Sequence, residues 1–207
     1  VRQVGGDRVK VTTLMIEGVD PHLFKPTRDD VARILKADLV FYSGLHLEGR
    51  MEETFEKLSS KGKSITPVTS EIPEALLLKE GAVVDPHVWM NPALWASCTK
   101  TVSDSLGKKD PEGAAIYAAN ATRYATQLQS LETTLRSLIA TIPDDQRVLI
   151  TAHDAFQYFA RVAVLRAEAA QREAPTAFLD RARELAESIA TSGVEVLGPA
   201  AAPMERR

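Results

Sequence analysis

Tyr117, Ala121, Tyr124, Leu128, Leu131, Leu135, Leu138 and Ile142 follow one another at alternating intervals of four and three. That stripe predicts one unbroken helix from Asp110 to Ile142, roughly 50 Å long at about 1.5 Å per residue. A rod of this length runs past any single small lobe, so the remaining elements must pack along it. A coiled-coil dimer would use the same stripe, but the charged flanking pattern is sparse and the neighbouring segments read as globular, so a monomer is expected.

The segments on either side alternate between strand and helix. Val9 to Met15 is rich in β-branched residues and reads as a strand leading into a Gly/Asp/Pro loop that holds His22. Thr27, with Asp30 three positions on, caps a helix whose apolar face is Val31, Ile34 and Leu35. Leu39 to Tyr42 reads as a buried strand, Leu47 to Leu58 as a helix and Ser64 to Val68 as a short strand. Asn91 and Pro92 then open a helix to about Leu106, just after His87. Past the long helix, Pro143-Asp144-Asp145 is a break. Arg147 to Thr151 reads as a strand that ends at His153, and Phe156, Tyr158 and Phe159 read as a helix packing back on the sheet. This alternation is the signature of an α/β fold with parallel sheets. From Ala163 to Arg207 alanine and arginine dominate, with a helix-like run from Thr176 to Ala190.

Composition narrows the function classes. The 207 residues are 44% hydrophobic, enough for a packed core, and the net charge of −3 gives no reason to expect nucleic acid or an anionic membrane as partner. The single cysteine, Cys98, excludes an internal disulfide framework and a thiolate-rich zinc finger; it sits in an amphipathic helix and reads as a small buried apolar residue. Trp89 and Trp95 read as packing groups. The opening Val1 to Asp7 reads as the end of a helix and a turn, so the leader and first strand of an exported protein are expected ahead of it.

The chemistry gathers at the histidines. Of four, two share a tripeptide: Asp20-Pro21-His22 and Asp85-Pro86-His87. His153 is followed by Asp154, and the three lie 65 and 66 residues apart. Such spacing rules out a one-helix site or local finger, so a joint role requires the fold to bring three loops together. A lone histidine after a strand is more often a satisfied surface or core group. Against that stand the repeated tripeptide and the placement of His22 and His153 at strand ends, where ligands of open α/β sheets collect. Imidazole suits zinc, copper, nickel, iron and, less well, manganese. Asp20, Asp85 and Asp154 are candidates to orient the imidazoles or to complete the coordination. His46, in Gly44-Leu45-His46-Leu47-Glu48, reads as supporting or structural. No His-Glu-x-x-His helix, Gly-x-Ser-x-Gly elbow, phosphate-binding glycine loop or dinucleotide fingerprint is present.

With these residues assembled, the chain resembles the metal-binding solute receptors of ABC importers, the TroA-like zinc and manganese group that includes the streptococcal adhesin-type lipoproteins. Gly18-Val19-Asp20-Pro21-His22-Leu23-Phe24-Lys25-Pro26-Thr27 is similar to that family's first ligand loop, and Ser43 to Glu48 to the strand–helix junction after it. Asp85-Pro86-His87-Val88-Trp89-Met90-Asn91-Pro92 resembles the second ligand loop, and Thr151-Ala152-His153-Asp154-Ala155-Phe156 the third. The likeness covers about residues 1 to 160. It implies two α/β lobes joined by a rigid long helix: residues 1–109 as N-terminal lobe, 110–143 as linking helix, and 144–207 as a partial C-terminal lobe that diverges after 162. It also implies one divalent ion, zinc or manganese with ferrous iron third, held by His22, His87 and His153. The implied setting is extracytoplasmic, membrane-tethered in the full-length protein, with a membrane ABC permease as partner. The family's fourth ligand, a late carboxylate, has no counterpart motif here; Asp180 and Glu195 are available without one. Two alternatives follow. One is a zinc hydrolase with an open three-histidine site and Asp154 or Glu48 as general base. The other is a non-functional fragment of the receptor.

Overall fold

The computed structural model describes residues 1–151, 155–163 and 166–169, the last as backbone. Val1–Glu168 forms one compact unit.

Helix α1 (Arg2–Gly5) and a single 3-10 turn (Gly6–Arg8) lead into an extended stretch. The strand expected at Val9 to Met15 does not form. A strand exists only by pairing its backbone. Among the described residues nothing pairs with this one, and a groove of about 1000 Å³ is lined jointly by it and by Val40, Phe41 and Tyr42.

Helix α2 (Arg28–Lys36) begins where the Thr27 motif places it, as a reciprocal cap. The Asp30 backbone N–H donates to Thr27 Oγ1 at 3.2 Å and the Thr27 N–H returns to Asp30 Oδ2 at 2.9 Å. Its inward face is narrower than the sequence suggests. Asp30 and Ile34 are buried, Val31 is half-buried and Leu35 is 55% exposed, because one turn of contact, i to i+4, is all that this short helix offers the core.

Strands β1 (Val40–Tyr42) and β2 (Ile65–Pro67) are parallel, with Val40 opposite Ile65, Phe41 opposite Thr66 and Tyr42 opposite Pro67. Helix α3 (Gly49–Ser59) makes the crossover between them. Ile34, Val40, Met51, Phe55 and Leu58 close one core cluster, each large side chain contributing about 1.5 to 3 kcal/mol by leaving water. The turn from β1 into α3 is left-handed over Gly44 (φ 89°), Leu45 (φ 57°) and His46 (φ 63°).

After a short antiparallel hairpin, β3 (Lys79–Glu80) and β4 (Val83–Val84), helix α4 (Pro92–Lys109) starts at the expected cap, Asn91 Oδ1 accepting from Ala93 and Leu94 N–H. Helix α5 (Ala114–Ile139) is shorter than its stripe. Pro111–Gly113 forms a 3-10 turn ahead of it. It buries Tyr117, Ala121 and Leu128, and as a whole it packs chiefly against α4. Its second half leaves Leu131 and Leu138 exposed at 55% and 62%. Strand β5 (Val148–Thr151), helix α6 (Gln157–Ala163) and strand β6 (Arg166–Ala169) complete the described chain, with β5 and β6 paired. The helix-like run at Thr176 to Ala190 lies outside the described residues. Among the described residues no helix is long and apolar enough to cross a membrane.

Candidate metal centre

The two Asp-Pro-His tripeptides fold alike. In each, the aspartate Oδ1 accepts the histidine's backbone N–H at 2.9 Å: Asp20 from His22, Asp85 from His87. Such side-chain turns come readily to aspartate, and the intervening proline fixes the backbone torsion between acceptor and donor. Each turn is followed by a capped helix, α2 in one case and α4 in the other.

The turns bring their imidazoles together. His22 Nε2 and His87 Nε2 are 3.3 Å apart, with ring centroids 5.4 Å apart and planes at 62°. Two imidazole nitrogens bound at about 2.0 to 2.1 Å on one tetrahedral zinc stand about 3.3 to 3.4 Å apart. The separation also suits an N–H···N hydrogen bond when His22 Nε2 carries the proton. His22 does not follow a strand, contrary to expectation, since Val9 to Met15 is not one; the histidine whose loop follows a strand directly is His87, three residues beyond the end of β4. His153 and Asp154 lie outside the described residues, as do Asp180 and Glu195.

Burial and bonding distinguish the two histidines. His87 is buried and His22 half-buried. Asp85 Oδ1 also takes the His87 ring, Nδ1–H donating at 2.7 Å. That fixes the tautomer in which Nε2 keeps its lone pair, the form a metal requires. A carboxylate bonded at Nδ1 lies behind the ring from an ion at Nε2. Asp85 therefore serves to orient His87. Its other oxygen, Oδ2, is buried and lacks a hydrogen-bond partner among the described residues.

Trp89 stands edge-on to the His87 ring, centroids 5.2 Å apart. It was expected only as a packing group; the residue spacing through the 3-10 turn Val88–Met90 is the sole signal that could have marked it. Trp95 is partly buried against the core, as expected. His46 is exposed and pairs with Glu52 at 2.7 Å. Glu48 is buried, and its two oxygens accept the Ser43 and Gly44 N–H groups at 2.8 and 3.2 Å. Burial pushes its carboxyl up from the ordinary range, against those hydrogen bonds.

The whole described centre falls within a stretch, residues 1–198, that matches the family model of the zinc-uptake complex component A, periplasmic (ZnuA). The chain belongs to that family. Among ZnuA-family relatives, the manganese-binding lipoprotein MntA of Bacillus subtilis is 44% identical over 158 residues, 75% of this chain and 51% of that protein. The zinc-binding protein TroA of Treponema pallidum is 40% identical over 162 residues, 78% of this chain and 52% of that protein. The solved structure of the periplasmic zinc-binding protein TroA superposes with a TM-score of 0.78 at 36% identity, over 92% of this chain and 69% of that one. The chain thus has the TroA-like α/β solute-binding fold, and it spans about half the length of the curated relatives it matches.

Proposed function

We propose that the protein captures a divalent transition metal ion, zinc or manganese, outside the cytoplasm and hands it to a membrane ABC permease, binding without catalytic turnover. His22, His87 and His153 are the ligands in this reading. The 144–207 segment contributes to a second lobe beyond the linking helix of residues 110–143, and the full-length protein is tethered to the membrane. The single observation that carries the reading is the pair of Nε2 atoms 3.3 Å apart, delivered by two copies of one turn. Further support comes from the relatives, whose names record manganese binding for MntA and zinc binding for TroA.

Titration of metal-free protein with zinc and with manganese, read by competition with a chromophoric chelator, tests it. One ion per chain is expected, and His22→Ala, His87→Ala and His153→Ala should each weaken binding at least tenfold. Three variants that bind as the parent does would refute the site.

A further inference from the structure

Leu78 and Asp85 flank the β3–β4 hairpin, and the Asp85 N–H donates to the Leu78 carbonyl at 2.9 Å. The opposite pair of groups at this base meets in one side chain. Tyr158 Oη accepts the Leu78 N–H at 2.9 Å and donates to the Asp85 carbonyl at 3.1 Å. Tyr158 is 1% exposed and belongs to α6, which packs against the turn Val88–Met90 just after His87. A buried phenol and a buried amide left unpaired are costly, so this bridge holds firmly once formed. Asp85 is thereby fixed at its backbone by Tyr158 while its carboxylate holds the His87 ring.

We infer that Tyr158 is the positioning residue of this centre: by anchoring Asp85 it keeps the His87 imidazole aimed, and so sets how slowly the ion leaves. The inference rests on His87 being a ligand. Tyr158 lies five positions after His153 in the sequence, so one short stretch carries a candidate ligand and the anchor of another ligand's loop.

Tyr158→Phe in the full chain keeps the buried ring and removes both hydrogen bonds. Stopped-flow transfer of zinc to a chelator should show dissociation about tenfold faster, the lower end of the usual effect of losing support behind a metal-binding histidine, with association changed less than twofold. In an Asp85→Ala background the same substitution should add nothing, since the two residues act through one linkage. Dissociation within twofold of the parent, or effects that multiply in the double variant, would overturn the inference. A parent chain that takes up no zinc sinks the metal-capture reading instead. In that case the imidazole ¹⁵N shifts of metal-free protein decide: loss of the Nδ1–H form of His87 in Tyr158→Phe supports the positioning role, and its full retention overturns it.

Discussion

His22 and His87, 65 residues apart in sequence, present their Nε2 atoms to each other at 3.3 Å. If one ion joins them, it stabilises the fold by mass action. Zinc at a hundred times its dissociation constant should add about 2.7 kcal/mol of stability. At that same zinc concentration, a His87→Ala variant with about a hundredfold weaker affinity keeps only about 0.4 kcal/mol. Thermal unfolding with and without zinc reads both, and equal shifts in parent and variant would exclude the pair as ligands.

Arg8 and Asp110 join chain segments 102 residues apart, with Arg8 Nε and Nη2 donating at 2.9 and 3.0 Å. The Tyr117 hydroxyl, 2.6 Å away, and then Arg8 hold the Asp110 carboxyl below its ordinary range. A depressed carboxyl contributes stability above its unfolded value and loses it as pH falls through the folded one. Asp110→Asn should therefore be less stable than the parent at neutral pH, and the gap should close on acidification below the ordinary aspartate range. Urea unfolding across pH measures it; a gap independent of pH would show that ionisation of Asp110 is not the source.

Gly44 occupies φ 89°, and a Cβ there would lie 2.8 Å from Thr69 Oγ1 and 2.9 Å from Pro67 Cβ. Gly44→Ala combines a left-handed backbone with these approaches and should cost about 1 to 3 kcal/mol. Denaturant melts of the two proteins settle this, and a loss under half a kcal/mol would mean the turn relaxes freely.

Cys98 is buried in α4, its Sγ 3.5 Å from the Leu94 carbonyl, and burial pushes the thiol up to about 11. The thiolate is the reactive form. Labelling by a disulfide reagent at pH 8 should be negligible in the native protein and rapid in denaturant. Rapid native labelling would place the thiol at the surface.

Much of this was legible in the residues. Thr27 with Asp30, and Asn91 with Pro92, mark helix starts because a cap is satisfied by neighbours in sequence, and both caps form. The Asp-Pro-His repeat pointed to a shared local geometry for the same reason. Features that depend on a distant partner were less readable. Val9 to Met15 has strand-forming residues but no ladder to join among the described residues. Leu35 has the right spacing on α2, yet it stays 55% exposed. The bridge from Tyr158 to Leu78 and Asp85 spans more than 70 residues, and no pattern in sequence announces a bond of that range. That His153 joins the other two imidazoles rests on its expected place at a strand end and on the family likeness, and it belongs to the proposed function.

The paired Asp-Pro-His turns carry a consequence for robustness. Each histidine's backbone is held in a proline-stiffened loop of three residues, closed by its own aspartate. Drift of α2 or α4 must first deform that loop before it reaches an imidazole, so substitutions far along either helix should erode stability well before they blunt the grip on an ion.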